Sequence, residues 1–401
     1  MNPEGLVKDV WIVEALRTPI GASLRSLKDC SAAELGAVVI KEILKRTKVP
    51  RKAVEEVVLG NAVSAGTGQN LARQAAILAG LPVSVPGFVV NNVCGSGLQA
   101  VILGAQSILC GHKNLVLTGG TESASKSPGL CFQPGGKAPQ EIPPTDSLLY
   151  DGLMCSLTQK HMGQLMEHLI KDCRISREKQ DQYSLESHRK VTNAWGAGKL
   201  LGEVVAVPLS DGGQFTKDER PRKNITKEIL EDFPPAFAKK GTVTAGNSSV
   251  PSDGAACLLL SSSSALKDYD LKAPPKAGQA CGRLLGYASI ALEPHKVFAA
   301  GVVSIRECLR RAGLSLKDID LFEISEAFAA QALLTRDQLK IPEEKMNVWG
   351  GDIALGHPLG AAGARILVTL LHALRDQKKK KGVACVCLGG GGGVSVAVEA
   401  L

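Results

Sequence analysis

Apolar and polar positions follow two rhythms along this chain. Compact apolar runs at residues 10–15, 54–59, 114–118, 255–261, 282–288, 319–324 and 383–388 carry the pattern of buried strands. Between them lie stretches with apolar residues three and four apart, the spacing of a helix face. One opens at the capping box Ser31-Ala-Ala-Glu34 and runs to about Lys48. Others end near Gly80 or cover 298–312, 327–339 and 364–374. A further apolar run reaches Cys94 and passes through Gly95-Ser96-Gly97 into a helical face of Leu98, Val101, Ile102, Ala105 and Ile108. Strands and helices in turn over such distances predict an α/β layer structure with a largely parallel sheet.

The rhythm breaks at about residue 123. Glycine, proline and polar residues dominate through Thr145, and helices are expected at 150–168 and 178–199. Residues 123–248 therefore read as an inserted, loop-rich region, and long loops in compact proteins usually carry function. Residues 261–280 are linker-like, the alternation resumes from Cys281, and Asn347 is expected to start a strand. The end of the chain echoes its front. Cys94 precedes a helix, a strand and the turn Gly119-Gly120; His357 precedes a helix, a strand and the glycines Gly389 to Gly393. That repeated order predicts two related halves whose reactive loops converge on one cleft.

Composition narrows the classes. With 401 residues, two or three domains are expected. Aromatics at 4% argue against a surface that stacks nucleic-acid bases. A net charge of +8 suits an anionic ligand such as a phosphorylated cofactor. The basic run Lys378 to Lys381 reads as a solvated turn. Eleven cysteines without C-x-x-C spacing fit free thiols in a reducing compartment, with neither a disulfide framework nor a zinc site. No secretory signal, transit sequence, membrane-length apolar run or C-terminal Ser-Lys-Leu is present, so the expected location is cytoplasmic.

Candidate chemistry starts at Cys94. A sulfur at the N-terminus of a helix meets unpaired N–H groups and the positive dipole end, which favour a thiolate. Taken alone, a cysteine in apolar surroundings is more often core than catalyst. Gly95-x-Gly97-x-x-Ala100 also fits a dinucleotide-binding turn, with Glu122 at about the spacing of its acidic partner. The decision rests on partners further along: His357 in Gly-His-Pro at a helix start, Cys387 at a strand end before a glycine run, and Ser325-Glu326 at a strand-to-helix turn.

Three long motifs then carry a resemblance. Asn91-x-x-Cys94-x-Ser96-Gly97-x-x-Ala100, Asn347-x-x-Gly350-Gly351-x-x-x-x-Gly356-His357-Pro358-x-Gly360-x-x-Gly363-x-Arg365 and Cys387-x-Gly389-Gly390-Gly391-x-Gly393 resemble the three signatures of the thiolase family, in the family's order. Asp151-Gly152-Leu153, His161-Met162-Gly163 and Gly241-Thr-Val-Thr-Ala-Gly-Asn247 are similar to its acetyl-CoA acetyltransferase branch. The resemblance implies a thiolase fold. Two related βαβ-type halves would pack as a layered α-β-α-β-α core, residues 1–122 with 249–275 as one and 276–401 as the other, with 123–248 as a loop domain.

It also implies the chemistry. Cys94 would take the acetyl group as a thioester and His357 its proton. Cys387 would remove a proton from a second acetyl-CoA or, in reverse, protonate the leaving carbanion. The N–H groups of Cys94 and Gly389 would form one oxyanion site, and His357 with a water the other. His161, Met162, Phe237, Ala245, Ser249 and Phe328 would line the acyl and pantetheine path. A bulky pocket of this kind would favour short acyl chains. Ser325 stands where the family carries the Asn that anchors the water, and Val250 and Ser252 depart from the family in the CoA-facing loop. The implied substrates are acetyl-CoA, acetoacetyl-CoA and CoA, with no further cofactor, no metal, no nucleic acid or membrane partner, and assembly as a homodimer or homotetramer. A broader 3-ketoacyl-CoA thiolase, and a CoA-binding protein of this fold with weakened turnover, are the alternatives.

Overall fold

The computed structural model describes residues 9–132, 143–271 and 282–401. Parts of the glycine- and proline-rich stretch through Thr145 and of the 261–280 linker lie outside them.

Nine strands and eight helices position the site. The strands are β1 (Val10–Arg17), β2 (Glu56–Gly60), β3 (Gly87–Val90), β4 (Leu115–Ser123), β5 (Ser252–Ser262), β6 (Gly282–Ala291), β7 (Leu321–Ile324), β8 (Lys381–Leu388) and β9 (Gly392–Ala400). The helices are α1 (Ala32–Thr47), α2 (Leu71–Leu78), α3 (Ser96–Leu109), α4 (Met162–Cys173), α5 (Arg177–Gly196), α6 (Ala300–Ala312), α7 (Ala329–Leu339) and α8 (Leu359–Asp376). The capping box at Ser31 and Glu34 opens α1 as the sequence predicts.

The sheet runs β7-β8-β9-β6-β1-β5-β4-β2-β3, and the short strand Gly21–Ala22 pairs with the end of β5. The two halves share one topology. The first orders its own strands 3-2-4-5-1. The second repeats that order, with its third strand reduced to a single parallel bridge between Phe322 and Met346. Thus Asn347 does not start a strand. The chain turns there through left-handed backbone at Asn347 (φ 45°) and Gly350 (φ 80°), which ends any ladder.

The expectation of a largely parallel sheet is corrected. Only β2–β3, β2–β4 and β7–β8 are parallel; β8–β9, β9–β6, β6–β1, β1–β5 and β5–β4 are antiparallel. Parallel pairs need a crossover, whereas β8 and β9 are joined by a tight glycine turn that forces them antiparallel. The expected helix at 150–168 is also interrupted. One wide helical turn, Leu148–Leu153, is followed by the hairpin Met154–Cys155 with Lys160–His161, and α4 begins only at Met162.

Helices α3 and α8 form the middle layer, packed on each other and between the two halves of the sheet. Leu98, Val101 and Ile108 of α3 meet Ile366, Leu367 and Leu371 of α8 in one fully buried cluster. α1 and α2 cover the outer face of the first half, and α6 covers that of the second. The N-termini of α3 and α8 cross in contact. A Cβ on Gly97 would lie 2.8 Å from the Gly360 carbonyl oxygen, and one on Gly363 would lie 2.7 Å from Leu98 Cβ. Only glycine permits that approach. It brings together the two turns that carry Cys94 and His357.

Candidate active site

Cys94 sits in the turn between β3 and α3, two residues before the helix. The turn is tied by short-range polar contacts. Asn91 Oδ1 accepts from the Val93 N–H at 3.1 Å, and Asn91 Nδ2 donates to the Ala62 carbonyl at 2.9 Å. The buried Ser96 hydroxyl accepts from the Asn92 N–H at 2.8 Å and donates to the Val93 carbonyl at 2.6 Å. Val93 is held at φ 48°, an outlier for a β-branched residue, so this network fixes a conformation the residue would not choose alone. The strain aims the next side chain, Cys94, into a cavity.

His357 precedes α8 after Gly356, whose φ of 103° turns the chain. Its N–H donates to the Val250 carbonyl at 2.9 Å. Behind the ring, Nδ1 lies 3.2 Å from Asp352 Oδ2. Asp352 is fully buried in the short helix Asp352–Leu355. Oδ2 also accepts from the Ser325 hydroxyl at 2.5 Å and the Glu326 N–H at 3.2 Å, while Oδ1 accepts from Arg365. Arg365 in turn reaches Glu323 at 3.1 Å. Burial disfavours ionised Asp352, but Arg365 and His357 outweigh it and hold the carboxyl well below the usual range. Burial likewise opposes a charged His357, yet the Cys94 sulfur and Asp352 raise the imidazole to about 10. Nε2 is buried with no hydrogen-bond partner among the described residues, although the Cys94 sulfur is close enough to stabilise the charged ring.

Cys387 ends β8 and is 5% exposed. Burial, then the nearby charge of Cys94, push its thiol well above the ordinary value. Cys94, His357, Cys387 and Gly389 line one cavity of about 270 Å³. His161, Met162, Phe237, Ala245, Ser249 and Phe328 line it too. Ser325 does not. Its hydroxyl is directed at Asp352, and the residue is 1% exposed. The expectation that Ser325 faces the reacting groups is corrected, because a serine in this turn is drawn to the buried carboxylate behind His357.

The walls are chiefly apolar. His161 stacks on Phe237 at 4.8 Å, and Phe328 stands edge-on to both Phe237 and Phe298. Burial lowers the His161 pKa, and its Nδ1 accepts the Gly163 N–H, so a neutral ring caps α4. A second cavity of about 350 Å³ shares Gly152, Met162 and Gly389 with the first. Glu122 secures the junction of the halves: it accepts from Asn61 Nδ2, from the Ala62 N–H and, at 2.7 Å, from the Gly360 N–H. Its place in a structural junction leaves the dinucleotide reading without its acidic partner. Among the described residues no group of three His, Cys, Asp or Glu is placed to hold a metal ion, and no helix is long and apolar enough to cross a membrane.

Two parts of the site escaped the sequence reading. Val297 and Phe298 line the cavity but look like ordinary core before a helix. Asp352 carried a signal, a lone charge inside the glycine-rich run that leads to His357.

Comparison with known proteins adds three findings. Family models described as "Thiolase, N-terminal domain" and "Thiolase, C-terminal domain" match residues 10–264 and 279–400. A probable acetyl-CoA acetyltransferase of Escherichia coli (strain K12) is 42% identical over 397 residues, 98% of this chain and 99% of the relative. Among solved structures, the Acat5 thiolase from Ascaris suum in complex with coenzyme A aligns with TM-score 0.91 and 40% identity, over 98% of this chain and all of that one. Human mitochondrial 3-ketoacyl-CoA thiolase aligns with TM-score 0.93 and 36% identity, over 98% and 99%.

Proposed function

Since the chain belongs to the thiolase family and is an acyltransferase, we propose that its cavity interconverts two acetyl-CoA with acetoacetyl-CoA and CoA through a thioester on Cys94. The observation that carries this reading is the convergence of Cys94, His357 and Cys387, from three distant parts of the chain, on one largely apolar cavity.

In the thiolysis direction the Cys94 sulfur attacks the C3 carbonyl of acetoacetyl-CoA. The imidazolium of His357 is the counterion of that thiolate. The C2–C3 bond breaks, its electrons pass to C2, and the Cys387 thiol protonates C2 to release acetyl-CoA. The S–H of CoA then reprotonates Cys387, its sulfur attacks the acetyl-enzyme, and the Cys94 thiolate leaves. Electrostatics time these steps. Burial keeps Cys387 protonated and an anionic Cys94 adds to that; once Cys94 is acylated its charge is gone and Cys387 ionises more readily. Cys387 is thus an acid before acylation and a base after it.

A largely apolar wall disfavours water that would hydrolyse the thioester. Arg25, Arg220 and Arg222 line a hollow of about 300 Å³, and Arg220 packs against Gly356, next to His357. Such a group of cations suits the phosphates of CoA. A homodimer or homotetramer in the cytoplasm, with no cofactor beyond the CoA thioesters, is part of this reading.

A second reading, a thiolase of longer 3-ketoacyl chains, is favoured by the second cavity. It is lined by Val93, which adjoins Cys94, and is divided from the first by Met162 and Gly389. Thiolysis of acetoacetyl-CoA and of 3-ketooctanoyl-CoA, with wild type, Cys94→Ala and Cys387→Ala, tests both readings. Turnover of the shorter substrate that either alanine abolishes supports the first. Comparable turnover of the longer one supports the second. Full activity in Cys94→Ala overturns both.

A further inference from the structure

We infer that Asp352 is a positioning residue that completes a Cys94–His357–Asp352 relay, holding the imidazole with Nδ1 inward and Nε2 toward the cavity as a single charged donor for the substrate oxyanion. The inference rests on the proposed thiolase chemistry and deepens it.

Four observations lead there. Asp352 is fully buried and belongs to no surface ion pair. Its Oδ2 faces Nδ1 of His357, which fixes that nitrogen as the inner donor and leaves Nε2 for the cavity. Nε2 faces the Cys94 sulfur and has no other partner among the described residues, so its proton becomes available to a ligand oxygen once Cys94 is acylated. Lastly, the Ser325 hydroxyl donates to Asp352, and Ser325 does not line the cavity beside His357. An oxyanion site with a neutral imidazole and a well-held water has two donors. Here the Ser325 hydroxyl is turned to Asp352, and the carboxylate behind the ring joins the Cys94 sulfur in keeping the ring charged. A charge-assisted hydrogen bond is about twice as strong as a neutral one.

The groups around this unit are Cys94 and Cys387 across the cavity, Arg365 from α8, Glu323 from β7 and Glu326 from the turn after it. Burial raises Glu323 to about 8 against the pull of Arg365, so Glu323 gains charge in mildly alkaline solution. That new charge competes with Asp352 for Arg365. It leaves the Asp352–His357 contact in place.

The test is Asp352→Asn, with Asp352→Glu as the conservative rescue. Asparagine can keep a bond to Nδ1 but supplies no negative charge. In wild type, acetoacetyl-CoA thiolysis should hold on its alkaline side to near pH 10, where His357 deprotonates. In Asp352→Asn only the Cys94 sulfur is left to favour the charged ring, so the fall should begin at lower pH than in wild type. The kcat at pH 8 should drop on the order of 100-fold, KM should change little, and Asp352→Glu should recover part of the loss. ¹⁵N NMR of histidine-labelled protein reads the ring itself, with His357→Gln to assign the signal. The wild-type ring should be doubly protonated at pH 8, and the Asp352→Asn ring should lose its second proton at lower pH than the wild-type ring does. A His357 ring that titrates identically in both proteins overturns the inference, even if turnover falls. Failure of wild type to cleave acetoacetyl-CoA overturns the thiolase reading instead, while the NMR comparison still decides the role of Asp352.

Discussion

The two halves repeat one topology and differ in how each holds its reactive residue. In the first half, Cys94 sits in a turn fastened by neutral groups, the Asn91 amide and the Ser96 hydroxyl, and it is partly open. In the second, His357 rests on the buried ion pair of Asp352 and Arg365, which Glu323 extends. One scaffold thus offers two environments. A nucleophile that must become an ester and revert is served by a stiff but uncharged frame. A residue that must remain charged needs a counterion, and a buried counterion needs its own partner. The repeated topology supplies the geometry, and a few polar positions that differ between the halves supply the chemistry.

Substitutions can break this contrast, in order of expected effect. Cys94→Ala should reduce thiolysis by at least about 10⁴-fold with little change in melting temperature, since the turn does not depend on the sulfur. An alanine enzyme above that level would deny Cys94 its role. Arg365→Met should act on stability first. Leaving the Asp352 carboxylate buried without its cation should cost about 3–5 kcal/mol by denaturant titration at neutral pH, the usual result of breaking a buried pair. Ser96→Ala, the matching cut in the neutral half, should cost only about 1–3 kcal/mol. Equal losses would erase the contrast between the two frames.

A pH series sharpens it further. The folded-state pKa of His357 is raised from the ordinary value to about 10. Its contribution is therefore fully present below about pH 6.5, the unfolded value, and is lost as pH rises through 10. The melting temperature should fall from pH 6.5 to pH 10 in wild type and fall less in Asp352→Asn. Parallel curves would mean the carboxylate does not hold the ring charge. The smallest effect is expected from Ser325→Asn. A longer amide could leave Asp352 and hold a water at the cavity, raising thiolysis turnover a little; unchanged or lower turnover would show that Ser325 is no handicap.

Much of this was legible in the sequence because glycines and reactive residues mark turns. Gly97 and Gly363 are required where α3 and α8 touch, and Gly360 where α8 meets Asn61 and Ala62; those requirements write themselves into the motifs around Cys94 and His357. The cavity walls at His161, Phe237 and Phe328 followed from the resemblance. Strand direction did not, because β6 and β1 meet across a long separation that local pattern cannot report. Ser325 was misplaced for a similar reason. Its partner Asp352 is 27 residues away, and nothing near Ser325 says which way a short hydroxyl will turn.

The account's central claim is that Cys94 carries the acyl group between thioesters. Mass spectrometry of peptides from enzyme incubated with acetoacetyl-CoA and quenched in acid tests this most directly. The prediction is an acetyl group on the peptide containing Cys94, discharged when CoA is added before the quench. No acetylated peptide, or an acetyl group on Cys387 in place of Cys94, would contradict it.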